Sequence, residues 1–173
     1  MTSKARLLAA GSPHSADWLN AIPLSSIGLK LDDSSVRIAA GLRLGSPLMF
    51  PHTCICGGTV EHNGLHGLVC RQSAGRHSRH NAVNEVIQRG FSQAGILSDR
   101  EPVGLVAADG KRPDGVTLVP WSKGRSLAWD ATCPDTFTVS HISSTYQLAG
   151  AAANTAESSK KMKYNGLPQN VDV

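Results

Sequence analysis

The sequence predicts an α/β protein in which short strands are flanked by helices, with a helical arm and a small cysteine-rich knuckle ahead of them. Helical apolar patterns lie on both sides of a strand–turn–strand segment. Three of the four cysteines fall between Cys54 and Cys70, and the 17 glycines indicate many turns. A length of 173 residues suits one domain with an arm.

The composition favours an anionic partner and no membrane segment. The formal net charge is +4 and the pI is near 9.0, which suits nucleic acid but equally a solvated basic surface. No apolar run approaches the ~20 residues of a membrane span. The apolar run from Leu7 to Ala10 is also shorter than the ~7–15 residues of a signal-peptide core. We therefore expect no membrane partner and an intracellular protein.

Residues 1–50 are predicted to form an arm or linker that contains one helix. Asp32 and Asp33 precede an apolar series that begins at Val36, and Gly45 follows the last residue of that series. We assign no chemistry to this segment, and its expected role is packing.

Four candidate zinc ligands follow one another in the pattern C-x-C-x9-H-x3-C: Cys54, Cys56, His66 and Cys70. Zinc prefers four soft or borderline ligands in a tetrahedron. Two cysteines on a glycine-rich turn supply one edge, and a histidine and a cysteine one helical turn apart supply the other. The spacing predicts a structural zinc knuckle. His52 and His62 are rival ligands, and free thiols in a packed core are the alternative.

A basic stretch, residues 71–79, follows the knuckle and leads into a predicted helix over residues 79–94. The cationic side chains in and next to this stretch are expected to contact phosphates, with a solvated loop as the alternative: Arg71, Arg76, His77, Arg79 and His80. Apolar residues recur in the helix at intervals of three and four, and Gly95 is a good stop signal.

Three strands are predicted after this helix. The first is expected within residues 96–110, the second over Gly115–Trp121 and the third over Ser126–Thr132. Residues 139–164 are predicted to form a helix or a helix pair interrupted at Gly150. Residues 167–173 are expected to be a tail, with fraying over residues 169–173.

Asp114 and Asp130 lie at the start and the end of the predicted strand pair. A turn centred on Lys123 and Gly124 would place Thr117 opposite Asp130. Asp114 would then lie on the order of 10 Å away along its own strand. A bulge at Pro113 is one way to close part of that gap, because proline cannot donate to a strand ladder.

The two aspartates are suited to bind Mg²⁺ for hydrolysis of a phosphodiester. Carboxylate-bound Mg²⁺ can activate water and neutralise charge on a phosphoryl group. Glu101 or Glu85 would be the third ligand, directly or through water. A lysine from the last predicted helix would help orient the water, although lysine there also suits the helix dipole.

An ordered set of six segments carries a family resemblance: Cys54-x-Cys56…His66-x3-Cys70, Arg79-His80-Asn81, Glu101-Pro102, Arg112-Pro113-Asp114, Trp129-Asp130-Ala131-Thr132 and Lys160-x-x-Lys163-Tyr164. The set resembles the restriction-like endonuclease domain of non-LTR retrotransposons, a branch of the PD-(D/E)XK superfamily that also looks like archaeal Holliday-junction resolvases. The resemblance covers about residues 50–166. It implies a restriction-endonuclease-like mixed sheet flanked by helices, with a zinc knuckle over residues 51–78 and a nuclease core over residues 79–166.

The resemblance also implies roles for individual residues. Asp114 and Asp130 would be catalytic Mg²⁺ ligands, Lys160 the catalytic lysine with Lys163 as the alternative, and Glu101 a further catalytic carboxylate. The nucleic-acid-binding residues would be Arg76, Arg79, His80, Asn81 and Arg112. The wider superfamily places its lysine where this chain has Thr132. The retrotransposon branch moves that lysine to the following helix, which fits Lys160.

A protein of this kind would nick DNA, with Mg²⁺ as the catalytic ion and Zn²⁺ as a structural ion. DNA is the expected partner and the element's RNA a second one. A homodimer is left open, because one nicking site per chain needs two chains to cut both strands. The expected location is nuclear in a eukaryotic source, and a fragment or remnant of an element's reading frame is compatible with the chain.

Two other interpretations stay open. One is a catalytically inactive, zinc-stabilised nucleic-acid-binding remnant of such an element. The other is a structural zinc protein with no nucleic-acid role.

Overall fold

The computed structural model describes residues 1–73, 75–168 and 171–173, without the side chain of Arg76. The fold is mixed α/β, with small sheets and helices, as the sequence predicts at that level. Two compact units are present: Met1–Arg76 with Asp135–Ala152, and His77–Pro134 with Ala153–Val173. Within the described ranges, no helix combines the length and the apolar character that crossing a membrane requires.

The helices and strands are short. The helices are α1 (Thr2–Ala10), α2 (Asp17–Asn20), α3 (Asp33–Leu44), α4 (Leu65–Val69), α5 (Gly75–Gln93), α6 (Val139–Thr145) and α7 (Ala151–Tyr164). The strands are β1 (His52–Thr53), β2 (Thr59–Val60), β3 (Ser98–Arg100), β4 (Gly115–Thr117), β5 (Ser126–Trp129) and β6 (Val171–Asp172).

The first unit contains the predicted arm and the predicted knuckle. The Asp32 side chain accepts a hydrogen bond from the Ser35 backbone N–H at 2.9 Å and caps α3, as its sequence predicts. Gly45 ends the helix in the left-handed conformation, with φ 73°. The segment Asp135–Ala152 also belongs to this unit.

Helix α5 begins earlier than the sequence predicts. It starts at Gly75, so Arg79 lies inside the helix rather than at its first residue. Arginine is a good helix former and no proline interrupts this stretch, so the basic segment extends the helix. At the other end, Gly95 takes φ 72° after the helix stops at Gln93. Phe91 packs on Trp129 of β5 with ring centroids 5.3 Å apart.

The second unit holds a four-stranded mixed sheet of order β3-β4-β5-β6. The first two pairings are antiparallel, and β6 runs parallel to β5. Of the strand predicted within residues 96–110, only β3 (Ser98–Arg100) forms, and residues 103–106 are irregular. The expectation of a strand through that apolar stretch is therefore wrong at residues 103–106. Val103 is 93 % exposed, so its apolar character does not reflect a core position.

The register of β4 and β5 differs from the predicted one by three residues. Gly115 pairs with Trp129 and Val116 with Ala128, so continuing the ladder by one residue places Asp114 opposite Asp130. The expected pairing of Thr117 with Asp130 is wrong. The turn itself forms at Lys123 and Gly124, where it was predicted. An antiparallel bridge between Ser122 and Arg125 marks its position.

The shift arises from an insertion between the turn and the ladder. The Thr117 hydroxyl donates to the Val119 carbonyl at 2.9 Å and accepts from the Leu127 N–H at 3.0 Å, replacing a backbone partner. Pro120 has no N–H with which to continue the ladder. The extra length is therefore taken up at Leu118–Pro120 rather than at Pro113, where the sequence suggested a bulge.

Val171 and Asp172 are ordered into the sheet, contrary to the frayed tail expected over residues 169–173, of which residues 169 and 170 lie outside the described part of the structure. Val171 pairs with Ser126 and Asp172 with Leu127. An ion pair of 3.0 Å between Arg125 and Asp172 adds to the pairing. Alternation of apolar and polar residues predicts a strand only over about 4–8 residues. A two-residue strand such as β6 is too short to show it.

The contact between Gly115 and Trp129 generates a stability prediction. A Cβ atom on Gly115 would lie 2.1 Å from Trp129 Cζ2, deep inside van der Waals contact. Gly115→Ala is expected to lower the free energy of unfolding by about 1–3 kcal/mol through overpacking, measured by urea unfolding.

Gly90→Ala is the matched control, because Gly90 lies in α5 and a Cβ there meets nothing within 4 Å. That change is expected to be neutral or stabilising by up to about 1 kcal/mol. Equal effects of the two substitutions would contradict the proposed close contact.

Candidate functional site

The four predicted zinc ligands converge in the first unit. Their ligand atoms, three Sγ and one histidine nitrogen, all lie within 4.8 Å of one another. Cys54 Sγ and Cys70 Sγ are 3.8 Å apart, and Cys56 Sγ lies 3.3 Å from His66 Nε2. Tetrahedral zinc bonds of ordinary length would separate two sulfurs by about 3.8 Å and a sulfur from a nitrogen by about 3.6 Å. The cluster could therefore hold a metal such as zinc.

Two tight backbone segments bring these ligands together. The turn after β1 is closed by hydrogen bonds from the Gly57 N–H to the Cys54 carbonyl and from the Cys54 N–H to the Gly58 carbonyl, both 2.8 Å. Gly58 has no side chain, and a Cβ there would lie 2.8 Å from His66 Cε1. On the other side, α4 places His66 and Cys70 one turn apart. The glycine is needed because the imidazole occupies the space that a side chain would fill.

The electrostatics of the cluster favour a thiolate. A hydrogen bond from the Cys56 backbone lowers the pKa of Cys54 to about 6, against the opposing effect of burial. Thiolate is the form of cysteine that binds metal. The rival histidines lie elsewhere: His52 Nδ1 is 3.0 Å from the Phe50 carbonyl oxygen, and His62 is exposed. Among the described residues, neither belongs to the cluster.

A second cluster lies in the second unit and consists of His80, Asp114 and Asp130. One ligand atom from each residue lies within 4.8 Å of the others. The register of β4 and β5 explains the meeting of the two aspartates, and α5 supplies the histidine. The third member of the cluster is thus a histidine, whereas the sequence suggested Glu101 or Glu85.

Asp114 is held by two donors. His80 Nε2 lies 2.9 Å from Asp114 Oδ2, and the Ala131 N–H donates to the same oxygen at 2.7 Å. The Asp114 side chain is 18 % exposed. The backbone that directly follows Asp130 therefore also fixes Asp114, which ties the positions of the two carboxylates to each other.

The Asp130 side chain is 7 % exposed and receives three donors from α7. Lys160 Nζ donates to Oδ1 at 2.6 Å, Lys163 Nζ lies 3.3 Å from Oδ2, and the Tyr164 hydroxyl donates to Oδ2. Burial alone would raise the pKa of Asp130, but hydrogen bonds from Lys160 and Tyr164 outweigh it and hold the pKa below its usual range. Asp130 is therefore ionised at neutral pH.

Tyr164 links the aspartate to the chain before β4. It is 2 % exposed, its hydroxyl accepts from Lys163 Nζ at 2.7 Å, and the Arg112 carbonyl oxygen lies 3.0 Å away. Burial and the neighbouring Asp130 carboxylate raise the pKa of Tyr164 well above its usual range. The phenol therefore stays neutral and keeps the proton that it donates to Asp130.

The two aspartates line an open cavity of about 460 Å³. Its lining contains three carboxylates and four cations: Glu101, Asp114, Asp130, Lys111, Arg112, Lys160 and Lys163. Glu101 takes φ 48°, and its 69 % exposed carboxylate pairs with Arg112 at 3.4 Å. It lies at the rim rather than with the two aspartates. Four cations against three carboxylates give the lining a net positive charge, which suits an anionic ligand.

The other residues predicted to bind nucleic acid or metal lie on α5. His80 was expected to contact nucleic acid, but its ring contacts Asp114. Asn81 and Glu85 are exposed on α5, and Arg79 is partly buried. The prediction for Arg76 concerns a side chain outside the described part of the structure.

Sequence reasoning missed Asn84, and it left Tyr164 without a role. Asn84 is fully buried, accepts a hydrogen bond from the Trp129 indole N–H at 2.9 Å, and places its amide nitrogen 3.4 Å from both His80 ring nitrogens. The spacing of four between His80 and Asn84 was a usable signal, because residues four apart share a helix face.

No family model matches the sequence, and no curated protein or solved structure matches it.

The sulfur and imidazole cluster generates a metal-content prediction. Purified protein is expected to contain about one zinc ion per chain, and Cys70→Ser is expected to lose it, because serine is a poor zinc ligand. Cys133→Ser is the control, since Cys133 is exposed and outside the cluster. Elemental analysis measures the content. Wild-type protein with far less than one ion, or equal loss in both variants, would contradict the site.

The depressed pKa of Asp130 generates a pH prediction. Ionised Asp130 stabilises the folded state above the ordinary aspartate pKa of about 3.9, and this contribution disappears as pH falls through the lower folded-state pKa. At pH 7, Asp130→Asn is expected to lower the free energy of unfolding by about 1–3 kcal/mol. The difference from wild type should shrink below pH 4, measured by urea unfolding across pH.

Asp99→Asn is the control for this effect, because Asp99 is exposed in β3. Its difference from wild type should stay near zero across the same pH series. A constant deficit of Asp130→Asn from pH 7 to pH 2 would contradict the assigned role of the ionised carboxylate.

Proposed function

We propose that the second unit is a metal-dependent DNA endonuclease of the restriction-like, non-LTR retrotransposon type, which nicks phosphodiester bonds. One observation carries the proposal: Asp114 and Asp130 meet across two strands with Lys160 against Asp130, at a cavity lined by four cations. Two carboxylates and a lysine in this arrangement are what metal-assisted cleavage of a phosphodiester requires.

Asp114 and Asp130 would hold the divalent ion. When bound, such an ion supplies a Lewis acid for the phosphoryl group and a nucleophilic water at neutral pH. The protein residues would position the two carboxylates and limit the access of water. Tyr164 and the Ala131 N–H fix the two carboxylates, and burial keeps competing solvent from Asp130, whose side chain is 7 % exposed.

The cations of the cavity would bind and orient the scissile phosphate. Lys160 and Lys163 approach from α7, and Lys111 and Arg112 approach from the segment before β4. Lys160 Nζ is 2.6 Å from Asp130 and 28 % exposed, so it can neutralise charge at the carboxylate and also reach the cavity. Its contact with Asp130 supports the assignment of the catalytic lysine to α7 despite Thr132.

A catalytically silent nucleic-acid-binding module is the second candidate function. One observation favours it: both oxygens of Asp130 already accept from Lys160, Lys163 or Tyr164. A divalent ion would have to share these oxygens with the lysines. The knuckle would then stabilise a fold whose basic cavity binds a phosphate backbone without cutting it.

The proposed function also implies a target, a second partner, an oligomeric state and a cellular location. Chromosomal DNA would be the target and the element's RNA a second partner. Double-strand cleavage by single nicking sites would need a homodimer, and nuclear location would follow in a eukaryotic source.

Nicking of supercoiled plasmid tests the proposal, with Mg²⁺ and, in separate reactions, Mn²⁺ as the divalent ion. Wild type is expected to produce open circles, and Asp114→Asn and Asp130→Asn are expected to produce none. Lys160→Ala is expected to slow nicking by about 10²-fold or more, by analogy with loss of a group that assists proton transfer.

Lys161→Ala is the matched control, because Lys161 follows directly in α7 and pairs with Glu157 at 2.6 Å outside the carboxylate cavity. It should nick like wild type. If wild type nicks in neither ion, the endonuclease proposal is wrong. If its affinity for DNA also falls with rising salt, the catalytically silent binding module is the function that remains.

A further inference from the structure

The third member of the carboxylate cluster is His80, which offers a nitrogen atom rather than an oxygen. The function proposed above assigns this nitrogen no role in binding metal. In that proposal the two aspartates hold the ion, and a glutamate was expected to complete the set. The described residues that converge with Asp114 and Asp130 include His80 but neither Glu101 nor Glu85. We propose that His80 Nε2 is a third protein ligand, so that the site takes a divalent transition-metal ion and prefers Mn²⁺ to Mg²⁺.

The distances fit two neighbouring positions around one ion. His80 Nε2 and Asp114 Oδ2 are 2.9 Å apart. Adjacent corners of an octahedron with bonds of ~2.1 Å are about 3.0 Å apart. All three ligand atoms lie within 4.8 Å of one another, and opposite corners of the same octahedron are about 4.2 Å apart. A shift of at most about 0.6 Å, the difference between these two separations, therefore lets one ion reach all three residues.

The chemistry of the donors selects the metal class. Mg²⁺ takes oxygen ligands and keeps several waters, usually with one or two carboxylates. Imidazole nitrogen instead suits first-row transition metals, and the two carboxylates of the set suit Mn²⁺, the member of that series that most readily takes oxygen ligands. The two aspartates balance the charge of a divalent ion, and an ion that takes the Asp130 oxygens from Lys160 and Lys163 frees these lysines for an anionic substrate.

The imidazole is positioned from within the fold. Asn84 lies one helical turn from His80, is fully buried, and is fixed by the hydrogen bond from the Trp129 indole. Its amide nitrogen is 3.4 Å from both ring nitrogens, so it borders the ring without selecting either one. Nε2 is the nitrogen that faces Asp114. Asn84 therefore restricts the position of the ring, and the ion pair with Asp114 decides which nitrogen faces the cluster.

Binding of Mn²⁺ to the full chain tests the inference, after a weak chelator has cleared the carboxylate cluster and left one zinc ion per chain in the cysteine cluster. The inference rests on the same site as the proposed nuclease. Free Mn²⁺ is followed by electron paramagnetic resonance, Mg²⁺ is added as competitor, and pulsed experiments detect ¹⁴N coupling to bound Mn²⁺. Wild type is expected to bind Mn²⁺ at least about tenfold more tightly than Mg²⁺ and to show coupling to a directly bound imidazole.

His80→Ala is expected to abolish the ¹⁴N coupling and to weaken Mn²⁺ binding by about tenfold or more, since loss of even an outer-shell partner costs roughly 10–100-fold. His80→Gln is a second variant that keeps helix propensity and removes the imidazole. His14→Asn is the matched control. His14 pairs with Asp17 at 2.8 Å, belongs to neither ligand cluster found among the described residues, and has a φ of 64° that tolerates asparagine.

Wild-type protein alone can overturn the inference, so it does not depend on a variant that folds. Absence of ¹⁴N coupling, or equal affinities for the two ions, removes His80 from the ligand set. Plasmid nicking in parallel separates the two proposals. Nitrogen coupling without nicking supports the ligand set and defeats the nuclease, whereas nicking without nitrogen coupling does the reverse.

Discussion

The register between β4 and β5 is the constraint on which the carboxylate site depends. Asp114 faces Asp130 only because Gly115 pairs with Trp129. That pairing needs a glycine, because the indole occupies the space of a Cβ. The same tryptophan holds Asn84 and packs on Phe91, so it joins the sheet to α5. A change of one residue in the register would turn the aspartates to opposite faces.

Charge balance around Asp130 is the second organising feature. A buried carboxylate is costly unless it is paired, and here Lys160, Lys163 and Tyr164 all donate to it. These donors lie on the last turns of α7, so the electrostatics of one aspartate also fix the end of that helix against the sheet. The same groups that stabilise the metal-free site would compete with an ion and bind a phosphate, which links stability directly to the proposed chemistry.

Local patterns were sufficient for several elements of this protein. The Asp32 cap and the Gly45 stop of α3 follow from backbone groups that only nearby residues can satisfy. The interruption at Gly150, where φ is 76°, separates α6 from α7 as its sequence indicates. The Cys and His spacing identified the ligand cluster of the first unit, since a short loop and one helical turn leave few other geometries.

The sequence by itself determined the mixed α/β class, the cysteine–histidine cluster and the residue types of the carboxylate site. Only the tertiary structure decided how the strands align, because the insertion at Leu118–Pro120 is stabilised by the Thr117 hydroxyl rather than by a turn signal. It also decided that His80 joins the aspartates, and that Val171–Asp172 forms a strand. These contacts join residues far apart in the chain, and the spacing of residues along a chain carries no information about such distances.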